Sequence, residues 1–189
     1  LKGDTNIKYL TDNRVKIWNE WADVNGDIGP GYGKQWRRWD NGADGEIDQI
    51  TQVIETLKTN PDDRRMIVNA WNVTEIEDCA LPPCHCTMQF YSVDNKLSLM
   101  FNMRSTDVAL GLPYNIASYA LLLHMVAQQV NMTPCEIVYS GGDVHIYKNH
   151  IEGLIEQLTR TPRPLPILEL KKAKSIDDYK YDDFVIKNY

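Results

Sequence analysis

Apolar residues first recur at helical spacing at Ile47, Ile50, Ile54 and Leu57, which predicts a helix over residues 46–59. Asn60-Pro61-Asp62 ends it, because the proline nitrogen has no hydrogen to continue the ladder. Residues 65–72 and 86–93 read as strands. In the second, Cys86, Met88 and Phe90 alternate with Thr87, Gln89 and Tyr91. Asp94-Asn95-Lys96 makes a tight turn into a strand over 97–104, so the two strands form a hairpin. Residues 115–130 are apolar nearly all round and predict a helix at the centre of the fold. A short strand over 136–140 follows, then an amphipathic helix over 147–161 through Ile151, Leu154, Ile155 and Leu158. Thr161-Pro162-Arg163-Pro164 stops that helix ahead of a strand over 167–170. Gly29-Pro30-Gly31-Tyr32-Gly33 and residues 40–45 read as loops. Helices and strands mix without regular βαβ alternation. The expected class is therefore α+β, with a mixed, mostly antiparallel sheet and a buried central helix.

At 189 residues, 43% of them apolar, the chain is expected to form a single domain over 1–189 with a core that needs neither disulfide nor metal. Twenty basic against 26 acidic residues give a net charge of −6, which argues against bulk binding to nucleic acid or to an anionic membrane. It leaves room for a small anion held by a local arginine cluster. The longest apolar run, near residues 120–127, is interrupted by His124 and falls short of the ~20 residues that span a bilayer. No signal peptide is visible, and Cys79, Cys84, Cys86 and Cys135 are badly spaced for a disulfide framework, so a reducing cytoplasmic setting is expected. The chain starts Leu1-Lys2-Gly3 without an initiating methionine, as a segment of a longer gene product would.

Candidate chemistry begins at Leu81-Pro82-Pro83-Cys84-His85-Cys86. The prolines keep the segment extended and fix Cys84 just ahead of a strand, where nearby positive charge would turn its thiol into a nucleophile. A lone cysteine is more often buried and inert. Zinc is disfavoured, since Cys84, His85 and Cys86 are adjacent and alternate between strand faces. Asp63-Arg64-Arg65 and Met103-Arg104-Ser105 lie at strand ends and offer guanidinium and hydroxyl contacts to an anion. Gly111-Leu112-Pro113-Tyr114-Asn115 leads into the central helix. Asn115 is either a helix cap or a reader of a uracil edge, whose carbonyl and ring N–H complement a side-chain amide. His145 and Tyr147, two apart on an extended stretch, share a face and can grip a hydroxyl. Trp18, Trp21, Trp36 and Trp39 suit either a core or a stacking surface for a heteroaromatic ring. Gly29–Gly33 lacks the lysine-serine ending of a phosphate loop.

Taken in order, these motifs resemble the thymidylate synthase family over essentially the whole chain: Gly3-Asp4-Thr5-Asn6, Gly31-Tyr32-Gly33-Lys34-Gln35-Trp36-Arg37, Asp63-Arg64-Arg65, Leu81-Pro82-Pro83-Cys84-His85, Gln89-Phe90-Tyr91, Arg104-Ser105 with Asp107, Asn115-Ile116-Ala117-Ser118-Tyr119, and Gly142-Asp143 with His145 and Tyr147. The resemblance implies reductive methylation of deoxyuridylate (dUMP) to thymidylate. It implies 5,10-methylenetetrahydrofolate as the donor of carbon and hydride, with no metal. It further implies that Cys84 is the nucleophile, that Tyr32 relays a proton at the carbon being methylated, that His85 stands beside the nucleophile, and that Asn115 reads the base. Arg104 and Ser105 would hold the 5′-phosphate, and His145 with Tyr147 the 3′-hydroxyl. Trp18, Asp107 and Gly111 would contact the folate, with Asp107 also at the dUMP site. Arg64 and Arg65 would reach the partner's phosphate in an obligate homodimer. Departures are Tyr114 for the usual phenylalanine and Met103 at a position often polar. A catalytic glutamate, another phosphate-binding arginine and a closing tail are expected outside residues 1–189.

A deoxyuridylate hydroxymethylase, in which water captures the intermediate, is the nearest alternative. Trp18, as a shield against water, favours methyl transfer. Asn115 in place of aspartate disfavours the cytosine version. A silent nucleotide- or RNA-binding paralogue would have no need of Cys84, Asn115 and Arg64-Arg65 together.

Overall fold

The computed structural model describes all residues, 1–189, as two compact units, Leu1–Phe90 and Tyr91–Tyr189.

The first unit opens with a short helix, α1 (Lys8–Asp12), and a bridge between Asn6 and Asp27. Helix α2 (Tyr32–Arg37) follows, then β1 (Trp39–Asp40) and β2 (Glu46–Ile47), which pair antiparallel. Helix α3 (Gln49–Thr59) begins three residues later than its apolar periodicity suggests. Asp48 decides this: its carboxylate accepts the Thr51 N–H at 2.9 Å and caps the helix there. The buried face is Ile50, Val53, Ile54 and Leu57, each side chain contributing about 1.5–3 kcal/mol. Strand β3 (Ile67–Asn69), shorter than the expected 65–72, pairs antiparallel with β4 (His85–Val93). Met88 and Phe90 of β4 are buried, as the alternation requires. Gly29 has a φ of +76°, and a Cβ there would run into the Asp78 carbonyl oxygen, so only glycine fits.

In the second unit, Asp94 and Asn95 take φ of +49° and +59°, the left-handed pair of a tight hairpin turn, and send the chain into β5 (Lys96–Asp107). Helix α4 (Gly111–Gln129) then crosses to β6 (Thr133–His145), which runs parallel to β5. One βαβ unit therefore sits among otherwise antiparallel pairs. Leu97, Leu99, Phe101 and Met103 form the covered face of β5, and Phe101 stacks on Tyr119 of α4 at 4.1 Å. Burial of α4 is concentrated at Tyr119, Leu122, Leu123, Met125, Val126 and Ala127, while Tyr114 and Ile116 nearer its start are exposed. Strand β6 runs well beyond the expected 136–140. A 3-10 turn at Lys148–His150 replaces the start of the expected helix, leaving α5 as Ile151–Leu158. Strand β7 (Ile167–Leu170) matches expectation and pairs with β8 (Phe184–Lys187). No helix is long and apolar enough to cross a membrane.

Candidate active site

In the first unit Cys84 is half-buried at the head of β4. Its peptide N–H donates to the Tyr32 hydroxyl oxygen at 2.8 Å. The neighbouring His85 stacks on the Tyr32 ring at 4.1 Å and 27°. Trp18 and Trp36 meet Tyr32 edge-on at 6.2 and 6.4 Å, so cysteine, tyrosine, histidine and two tryptophans form one cluster. Burial pushes the His85 imidazole down to about 4, which keeps it neutral near pH 7.

Tyr32 has a φ of +26°, unusual for a residue with a Cβ and maintained only where the surroundings enforce it. Behind the aromatic rings, α2 is anchored by a polar network that is buried at Gln35 and Asn72 and half-buried at Lys34 and Glu75. Gln35, 1% exposed, donates to a Glu75 carboxylate oxygen at 2.7 Å and to the Pro30 carbonyl at 2.6 Å. Asn72 donates to the same Glu75 oxygen at 2.9 Å, and Lys34 donates to the other at 2.9 Å. Burial works against ionisation of Glu75, but the Gln35 and Lys34 hydrogen bonds outweigh it and hold the carboxyl below its usual range. Asn72 and Glu75 do not show in a hydrophobicity pattern, in which polar residues default to the surface.

Arg64 and Arg65, just before β3, are both exposed. Arg65 grips Asp63 through two parallel bonds, Nε to Oδ1 at 3.0 Å and Nη2 to Oδ2 at 2.7 Å. Side-chain and backbone hydrogen bonds from Arg65 bring the Asp63 carboxyl down to about 2.

In the second unit, alternation along β5 exposes Arg104 between buried Met103 and half-buried Ser105. Ser105 lies opposite Asp143, and Asp107 opposite His145, in the parallel register. A Cβ on Gly142 would come within 3.0 Å of the Arg104 carbonyl oxygen, so the strands approach closely only because that residue is glycine. The His145 and Tyr147 rings meet edge-on at 5.1 Å. His150, which the sequence reading had inside a helix, brings its Nδ1 to 3.9 Å from Asp107 Oδ1 and its ring to 5.8 Å from Tyr147.

Asp107 Oδ1 also accepts the Ala109 N–H at 3.0 Å and turns the chain into α4. Because α4 begins at Gly111, Asn115 lies within it and is no cap. A Cβ on Gly111 would meet Asp107 at 3.4 Å and Asn115 Oδ1 at 3.6 Å, so these three residues cluster at the head of the helix.

The thymidylate synthase family model matches residues 1–189. The chain belongs to the thymidylate synthase family. The thymidylate synthase of Vesicomyosocius okutanii subsp. Calyptogena okutanii (strain HA) is 56% identical over 190 residues, an alignment that takes in the whole of this chain and 72% of that protein. The motifs that carry the thymidylate synthase likeness fall in both units, with Tyr32, Cys84 and His85 in the first and Arg104, Asn115 and His145 in the second.

Proposed function

We propose that Cys84 is the nucleophile with which this member of the family methylates its pyrimidine. The enzyme is a methyltransferase that converts dUMP to dTMP with 5,10-methylenetetrahydrofolate as co-substrate. The observation that carries the assignment of Cys84 is its half-buried thiol on a peptide held by the Tyr32 hydroxyl beside a neutral histidine.

Carbon 5 of uracil is too electron-poor to take a one-carbon unit. Addition of the Cys84 thiolate at carbon 6 moves electron density onto carbon 5 and the 4-carbonyl oxygen. In this reading the Asn115 amide N–H is the donor to that oxygen and its carbonyl the acceptor from the ring N–H; a donor placed where charge develops lowers such a barrier by ~3 kcal/mol. The folate supplies both the methylene carbon and the hydride, and leaves as dihydrofolate. Tyr32, whose hydroxyl oxygen accepts the Cys84 N–H, is anchored on the nucleophile's own peptide and takes part through that hydroxyl in the relay that carries the proton away from carbon 5. The cysteine is expelled when the product forms.

The remaining residues hold the substrates. Arg104 and Ser105 bind the 5′-phosphate, His145 and Tyr147 the 3′-hydroxyl. Trp18 offers a flat face to the folate ring. Asp107 has a second carboxylate oxygen for its polar edge, and Gly111 leaves space that a side chain would fill. The enzyme is a homodimer in which the exposed Arg64 and Arg65 of one protomer reach the phosphate bound by its partner. Its compartment is the cytoplasm.

A substrate analogue with fluorine at carbon 5 tests the nucleophile, because fluorine cannot leave as a cation and the adduct stalls. With 5-fluoro-dUMP and the folate, a mass increment on the Cys84 peptide is the expected result. An increment on another residue, or none, overturns the assignment.

A further inference from the structure

We infer that Glu75 is a positioning residue, setting the Tyr32 hydroxyl against the Cys84 peptide through its bonds to Lys34, Gln35 and Asn72. The inference rests on the proposed roles of Tyr32 and Cys84. Helix α2 has six residues, too few to be stable unaided, and Tyr32 at its head has a left-handed φ. Its position must therefore be imposed from outside. Three donors converge on the Glu75 carboxylate, two from α2 and one from Asn72.

Glu75 is also on the way to Cys84. Its carbonyl oxygen lies 3.7 Å from Cys79 Sγ, and one residue further on Ala80 N–H donates to the Ile28 carbonyl at 3.0 Å. Ile28 and Gly29 lead directly into α2, and Gly29 is packed against the Asp78 carbonyl. One carboxylate thus ties together the two chain segments whose ends meet at the 2.8 Å bond between Cys84 and Tyr32. A small rotation of α2 would lengthen that bond, and misplacement of a reacting group by about 1 Å can cost on the order of 10²-fold in rate.

The test is a double-mutant cycle on kcat, with dUMP affinity and melting temperature measured for each variant. Glu75→Ala is expected to lower kcat by roughly tenfold to a hundredfold with dUMP affinity within about threefold. Combined with Tyr32→Phe it is expected to add little to the loss from Tyr32→Phe alone. Glu75→Gln keeps an acceptor for Gln35 and Asn72 and is expected to recover most of kcat. Losses that multiply in the double variant, or a fall in melting temperature with kcat intact, overturn the inference. If Tyr32→Phe by itself leaves kcat unchanged, the relay fails first and Glu75 has nothing to position. Should Glu75→Ala not fold, Gln35→Met cuts the same link from the helix side at nearly equal volume, and its cycle with Tyr32→Phe decides in the same way.

Discussion

The hydroxyl oxygen of Tyr32 accepts the peptide N–H of Cys84 at 2.8 Å, across 52 residues of sequence. The bond fixes the peptide that carries the thiol and sets the phenol beside it. Tyr32→Phe is expected to lower kcat by about 10²–10⁴, the range for a lost acid–base group, with dUMP binding within about threefold. Steady-state kinetics beside equilibrium dialysis checks this, and an unchanged kcat removes Tyr32 from the relay.

Cys84→Ser is expected to abolish turnover yet still bind dUMP, since a hydroxyl is far less acidic than a thiol. Arg64→Ala/Arg65→Ala in the same chain is expected to be impaired through phosphate binding. Mixed after dissociation and reassociation, these two variants should regain activity, because a heterodimer contains one site with an intact cysteine and intact arginines. Mixtures as inactive as their parents would mean that the arginines act within their own protomer.

Asn115→Asp replaces a donor–acceptor pair with two acceptors, which suits the amino group of cytosine better than the ring N–H of uracil. The expected outcome is a shift of affinity from dUMP toward deoxycytidylate by roughly tenfold or more. Competition binding measures it, and an unaltered ratio rejects Asn115 as the base reader.

His85 couples stability to pH. Its folded value of about 4 lies below the unfolded 6.5, so the unfolded chain binds more protons in between. The stabilisation is complete above pH 6.5 and is lost as pH falls toward 4. Between pH 7 and pH 5 the loss amounts to about 2 kcal/mol. Urea unfolding at the two pH values should show that difference for wild type and a smaller one for His85→Gln; equal differences would mean that the imidazole titrates normally in the fold.

Much of this architecture was legible in the residues. The alternation at Met88 and Phe90 marked the covered side of β4, and Asp94-Asn95 marked its turn. The parallel pairing of β5 with β6 was not legible, because a crossover helix and a long loop look alike until their packing is known. The expected strand over 136–140 stops short of Gly141 and Gly142, although both lie within β6, where Gly142 approaches the Arg104 carbonyl too closely for a side chain. Candidate site residues stood out where a side chain has chemistry of its own, as with Cys84, Arg104 and His145. Asn72 and Glu75 did not, since a buried polar link is defined by its partners. Asp48, three residues before Thr51, was a readable cap that apolar periodicity alone overrode.

Arg65 comes with a carboxylate already on it. A guanidinium carries five N–H donors, and the fork takes two of them. In its proposed role Arg65 would keep Asp63 as a brace and turn its other edge to a phosphate, so the carboxylate would aim the cation and not compete with the substrate.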